Sequence, residues 1–207
     1  MPGYSSTYIP EPIDPHLRRW MAFIDGENFT LRTQDVAKSK GLLLKENDYY
    51  AKDTFFWIPG VHGTFAITKS LNDNLRLQEY AIRSYYYVSV CGDQDTIDNI
   101  KANIWKCGFS PNVFKKSNRA DKAKGVDIAL TIDMLSHAYM NNYDVAVLYS
   151  GDGDYAPVVR EVKRLGKAVF VCAFENSGLS KDLRLVSDEF LDIGLLFDDI
   201  MKRHMAI

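Results

Sequence analysis

The sequence predicts an α/β domain, a mostly parallel sheet of about five strands with helices on both faces. Three observations lead there. Short apolar runs alternate with segments of helical length along most of the chain, the pattern of repeated strand–helix–strand units. The strongest runs, Val145–Tyr149 and Ala168–Phe174, are apolar throughout rather than alternating, as strands covered on both faces are. A chain of 207 residues that is 46% hydrophobic can also enclose one substantial core.

Residues 1–18 hold Pro2, Pro10, Pro12 and Pro15 among Gly and Ser and read as an irregular arm before a single domain over 19–207. Trp20–Ile24 is the first strand, followed by a helix from Asn28. The stretch 35–83 exceeds one crossover and reads as an insertion or long crossover; Ile67, Leu71 and Leu75 stand four apart and give a helix within 64–81. Tyr85–Val90 is the second strand and 94–106 a helix. In Tyr85-Tyr86-Tyr87, alternate side chains of a strand face opposite layers, so these rings are assigned to the core rather than to base stacking. Val113–Lys115 is a weak third strand, Lys124–Met140 a helix and Val145–Tyr149 the fourth strand. A helix over Tyr155–Leu165, the fifth strand Ala168–Phe174 and helices near 179–187 and 195–204 complete the chain.

Composition excludes several classes. The longest apolar run has seven residues, Ala168 to Phe174, too short to span a bilayer, and the first twenty residues lack an apolar signal core, so no membrane or secretory role is expected. Cys91, Cys107 and Cys172 are too few and scattered for a disulfide framework or a zinc site, which suits a reducing, cytoplasmic setting. A net charge of −2 excludes a globally basic nucleic-acid binder. Locally, Lys115, Lys116, Arg119, Lys122 and Lys124 form a basic strip able to meet phosphates, or simply a solvated loop. The acidic tail over 188–199 and the 35–83 excursion are candidate surfaces for a protein partner or a second copy.

In an open parallel sheet, strand C-termini and the N-termini of the following helices share one edge. Asp25 follows the first strand, Asp152 and Asp154 follow the fourth, and Asp127 opens the helix before it. Singly, each has a plain use as a turn or capping residue. Together they pose a problem, since two unit charges about 5 Å apart repel by roughly 3 kcal/mol at an effective dielectric of about 20. Carboxylates so placed must spread, take up protons or hold a cation, and oxygen donors suit Mg²⁺ or Mn²⁺. Glycines in Ser150-Gly151-Asp152-Gly153-Asp154 and in Asp25-Gly26-Glu27-Asn28 bring backbone close to such a site, with Asn28 able to face it. Tyr155 beside Asp154 is a candidate for base stacking or a helix-start staple. An EF-hand is excluded because Lys163 stands twelfth from Asp152. No phosphate-cradling glycine motif or nucleophile elbow occurs, and His62 and His137 are assigned no catalytic part.

Taken in order, these motifs resemble the NYN domain, in particular its LabA-like branch of the PIN-like nuclease superfamily. The matching segments are Phe23-Ile24-Asp25-Gly26-Glu27-Asn28, Lys124-Gly125-Val126-Asp127-Ile128-Ala129-Leu130 with Asp133, Ser150-Gly151-Asp152-Gly153-Asp154-Tyr155-Ala156-Pro157-Val158-Val159, Arg164-Leu165-Gly166-Lys167 and Leu179-Ser180-Lys181-Asp182-Leu183-Arg184. The resemblance covers 20–34 and about 84–193. It implies a PIN-like α/β/α sandwich and metal-dependent hydrolysis of RNA, single-stranded RNA being favoured. Asp25, Asp127, Asp152 and Asp154 would be the catalytic acids and metal ligands, supported by Asn28 and Ser150, with Mg²⁺ or Mn²⁺ as cofactor. Two alternatives stay open: a catalytically silent RNA- or protein-binding module, and a phosphohydrolase of small molecules.

Overall fold

The computed structural model describes residues 16–42, 50–51, 55–56, 77–78, 80–118 and 125–195. Its main sheet has six parallel strands: β1 (Trp20–Asp25), β4 (Arg83–Val90), β5 (Ser110–Lys115), β6 (Val145–Tyr149), β7 (Ala168–Ala173) and β8 (Glu189–Asp192). Two short strands, β2 (Tyr50–Ala51) and β3 (Phe55–Phe56), pair antiparallel within the long excursion. The order across the main sheet is β5-β4-β1-β6-β7-β8. The chain therefore builds outward from β1 to one side, returns, and builds outward to the other. The crevice between β1 and β6 is where that direction reverses, the place at which open α/β sheets bind ligands beyond their strand C-termini.

Helices α1 (Gly26–Ser39) and α2 (Gln94–Lys106) cover one face; α3 (Val126–Tyr139), α4 (Ala156–Arg164) and α5 (Lys181–Val186) cover the other. Strand alternation sorts the side chains between these layers. Trp20, Ala22 and Ile24 pack with Phe29 of α1 and Ile97, Ile100 and Ile104 of α2. Met21 and Phe23 pack with Leu130 and Met134 of α3 and Val159 and Val162 of α4. Each such buried aliphatic group contributes about 1.5–3 kcal/mol by leaving water. The tyrosine run follows the same rule: Tyr86 joins the first layer's core, Tyr87 the second, and Tyr85 packs against the second.

The chain passes from β1 into α1 with no loop. Asp25 is both the last strand residue and the helix N-cap, its Oδ1 accepting the Asn28 N–H at 3.1 Å. The helix thus begins at Gly26, two residues before the Asn28 that the sequence suggested. Only glycine fits there, because a Cβ would overlap the Tyr86 ring and lie 2.9 Å from the Tyr87 carbonyl oxygen. Gly26→Ala is expected to destabilise the fold by about 1–3 kcal/mol, read as a lower urea midpoint.

Other elements also depart from expectation. The sheet has six strands rather than about five, because Glu189–Asp192 of the acidic tail pairs with β7. Its acids brace the edge. Asp188 accepts the Val169 N–H at 2.8 Å and pairs with Lys163 at 2.9 Å, while Asp192 accepts the Glu175 and Gly194 N–H groups at 3.1 and 2.8 Å. The third strand begins at Ser110 rather than Val113, tolerating Pro111 because it lies at the sheet's edge. A 3₁₀ turn, Gly153–Tyr155, precedes α4, which starts at Ala156 rather than Tyr155. Of the helix expected within 64–81, the described residues 77–78 and 80–81 are not helical, Leu77 forming a bridge with Arg18, and the rest lies outside the described residues, as do the arm up to residue 15 and the helix beyond 195. No helix among the described residues is long and apolar enough to cross a membrane.

Candidate active site

Asp25 belongs to the alternate set of β1 that faces α3 and α4, so its carboxyl comes up beneath the N-termini of both helices. It is 5% exposed. Beside the backbone cap, its Oδ2 accepts from Ser150 Oγ at 3.2 Å and lies 3.2 Å from the Tyr155 hydroxyl. The same hydroxyl lies 3.0 Å from Oδ1 of Asp127, the exposed second residue of α3. One phenol oxygen therefore joins two carboxyl groups from elements about a hundred residues apart in sequence.

A phenol has one hydrogen and cannot donate to both partners at once. Burial resolves this. Loss of water around Asp25 pushes its pKa up to about 7; the Asp127 charge adds to the rise, while the Asn28 N–H and the Ser150 and Tyr155 hydroxyls oppose it. Near neutrality Asp25 holds a proton for much of the time and can donate to Tyr155, which then donates to Asp127. Burial and the two neighbouring carboxyls push the Tyr155 pKa far upward, so the phenol stays neutral.

Asn28 and Ser150 tie the β6 loop to this centre. Asn28, one helical turn into α1, accepts the Gly151 N–H at 3.2 Å. Buried Ser150 accepts the Asp152 N–H at 3.1 Å while donating to Asp25. Asp152 thus reaches the centre through its backbone. Its carboxylate is exposed and caps the 3₁₀ turn, Oδ1 accepting the Asp154 N–H at 3.0 Å. The Asp154 carboxylate is exposed and hydrogen-bonds to no other described residue. The four acids therefore share one sheet edge as two pairs: Asp25 with Asp127, and Asp152 with Asp154 at the mouth. Among the described residues no three of His, Cys, Asp and Glu are grouped so as to hold a metal ion.

On the other side of Asp25, Glu27 in the first turn of α1 accepts from Ser89 Oγ at 2.9 Å and from Lys116 Nζ at 3.1 Å. Lys116 is only 10% exposed along its side chain, so this member of the basic strip is engaged by Glu27 rather than presented to solvent. Lys115 is exposed; Arg119, Lys122 and Lys124 lie outside the described residues.

Two roles escaped sequence reasoning. Tyr155, 2% exposed, offers no face for a base to stack on; it is buried in the core at the start of α4, in keeping with the helix-start alternative, and its bridge between the carboxyls is the role the sequence did not show. Glu27 was visible only as a letter of the Asp-Gly-Glu-Asn motif, and its place in the helix's first turn was the available signal. His137 is held by Tyr85 and Asn142 at 3.0 and 2.8 Å and has a structural part.

The family model of the NYN domain matches residues 19–196. No curated protein matches in sequence. Among solved structures, a protein of unknown function from Vibrio parahaemolyticus RIMD 2210633 is similar, with 20% identity and a TM-score of 0.55 over 87% of this chain and 95% of that one. At that identity the likeness speaks for the fold alone, a PIN-like arrangement of helices about a parallel sheet. NYN domains fall within the PIN-like nuclease superfamily. Since the family match spans most of the sequence, this chain belongs to the NYN domain family.

Proposed function

We propose that this protein is a ribonuclease of the LabA-like branch that uses Mg²⁺ or Mn²⁺ to hydrolyse phosphodiester bonds, preferentially of single-stranded RNA. The observation that carries this is the buried Asp25 carboxyl joined to Asp127 through the Tyr155 hydroxyl at the crevice between β1 and β6. Folding alone gives little reason to bury a carboxyl there and set a second against it, since each raises the cost of ionising the other.

The donors fit a hard divalent cation. All are oxygens, and Mg²⁺ is commonly held through one or two carboxylates, with water and substrate phosphate filling its other positions. A preformed cage of three or more side chains is therefore not required. Asp25 and Asp127 would hold the ion, with Asp152 and Asp154 at the mouth contributing directly or through water. When bound, such an ion activates water for attack and neutralises charge on the phosphate.

The chain's own groups supply the rest. The Asn28 N–H and Ser150 Oγ fix the orientation of the Asp25 carboxyl, and burial keeps bulk water from it. Tyr155 keeps Asp25 and Asp127 in register through its single hydroxyl. The exposed Lys115, with Arg119, Lys122 and Lys124, would guide the RNA backbone towards the acids. The free cysteines Cys91, Cys107 and Cys172 suit a reducing compartment, which we take to be the cytoplasm.

One rival is a silent module that binds RNA without cutting it. Incubating unstructured oligoribonucleotides with the protein separates the two. Cleavage is expected with Mg²⁺ or Mn²⁺ and none in EDTA, with Asp127→Asn greatly slowed yet folded by circular dichroism. RNA retention without cleavage in either metal would establish the module. Turnover of mononucleotides but not oligonucleotides would point to a small-molecule phosphohydrolase.

A further inference from the structure

We infer that Arg32 binds a backbone phosphate of the RNA strand beside the cleavage site, an assignment that rests on the ribonuclease function proposed above. Arg32 lies one turn beyond Asn28 on α1, on the same face of the helix. Asn28 holds Gly151; the Gly178 carbonyl oxygen closes on Gly151, leaving only 2.7 Å to where a Cβ would stand. The Arg32 guanidinium lies against Gly178, where the left-handed φ of 74° and the lack of a side chain leave it room. Arg32 is thereby packed onto the loop after β7, which itself closes on Gly151 next to Asp152, on the β6–β7 side of the site and opposite the β5 strip.

Its own bonding is incomplete. Nε is buried with no hydrogen-bond partner, and the only hydrogen bond of the group among the described residues is Nη1 to Asp35 at 3.4 Å, a side chain 61% exposed. Other arginines are better matched. Arg19 grips both oxygens of Asp144 at 3.0 and 3.2 Å at the opposite edge of the sheet, and Arg184 is paired with Glu175. A buried donor without an acceptor is uncommon and calls for an explanation, a bound water or ion being one. Arg32 remains 37% exposed along its side chain, so a ligand can reach its outer edge. A polyanion approaching four carboxylates needs a cation at their border, and a planar guanidinium engages phosphate oxygens in pairs. The favoured occupant is the sugar–phosphate strand crossing from the β5 side over Asp25 to α1.

The test measures binding of a labelled oligouridylate to the full chain in EDTA, across a range of salt. Arg32→Ala is expected to weaken binding about tenfold and to lower the slope of log affinity against log salt by about 0.7, the value for one lost contact with a single strand. Arg32→Lys should keep the slope and recover only part of the affinity, since it retains charge without the fork. Arg164→Ala, the same charge loss at the far end of α4, should bind as wild type. If Arg32→Ala fails to fold, Arg32→Lys decides, and wild-type affinity in that variant overturns the assignment. Wild-type affinity and slope in Arg32→Ala, or equal weakening in Arg164→Ala, also overturn it. Cleavage by the wild type alongside such a result would leave the ribonuclease function standing. A wild type that neither binds nor cuts RNA would end both.

Discussion

Asp25→Asn is expected to lower the rate of RNA cleavage by about a thousandfold or more, the scale of losing a principal electrostatic stabiliser of a transition state. The substitution is nearly isosteric. A carboxamide oxygen can still accept the Asn28 N–H, and its partner group can still face Ser150 and Tyr155. What disappears is the negative charge that would anchor a divalent cation. Circular dichroism should therefore be unchanged while Mn²⁺ binding, followed by electron paramagnetic resonance, weakens with the rate. Asp154→Asn makes the contrast, because that carboxylate is exposed and bonded to no described neighbour. Its loss should cost about tenfold or less, the smaller end of effects at the border of a metal site. Near wild-type cleavage by Asp25→Asn in single-turnover reactions would remove the basis of the proposed chemistry.

The layers of the fold were legible because their causes are local. Continuously apolar strands such as Val145–Tyr149 can exist only between two helical layers, and their spacing leaves room for a crossover helix each time. Edge strands lack that signature. Glu189–Asp192 carries two acids and is only partly buried, and Pro111 interrupts the start of β5, so both edges of the sheet were misjudged. The position of the acids followed from topology, since strand ends and helix starts of a parallel sheet share an edge whatever the sequence between them. Their bonding did not follow. That Tyr155 turns inward depends on a 3₁₀ turn between β6 and α4, which rotates the ring away from solvent and under Asp25. Periodicity carries no sign of such a turn. Nor could spacing reveal that Lys116, one letter of a basic run, is claimed by Glu27 on a helix 89 residues earlier.

The stability of the metal-free protein should fall as pH rises from about 4 to about 7, and Asp25→Asn should lose most of that dependence. The sign follows from proton counts. Unfolded, Asp25 titrates near 3.8; folded, burial and the facing Asp127 push it up to about 7. Between those values the native state binds the extra proton, so each step up in pH favours the unfolded chain, and above about 7 the effect is complete. The difference amounts to roughly 2–4 kcal/mol across the window, since holding one proton through a tenfold change in its concentration is worth about 1.4 kcal/mol. Groups with lowered values act in the opposite sense at more acidic pH. Asp144, held down by Arg19, contributes stability that is lost as pH falls. Comparing urea midpoints of the wild type and Asp25→Asn in EDTA from pH 4 to 8 subtracts that shared background. The variant should be the more stable protein at pH 8, with the gap closing towards pH 4. Saturating Mn²⁺ should restore the wild type at pH 8 while helping the variant little, because a cation held by an ionised Asp25 offsets the buried charge and binds only the folded chain. A residue that lowers stability at working pH and whose charge is needed by the cation is under a functional constraint, which parallel gains in Asp25→Asn stability and losses in Mn²⁺ affinity would measure directly.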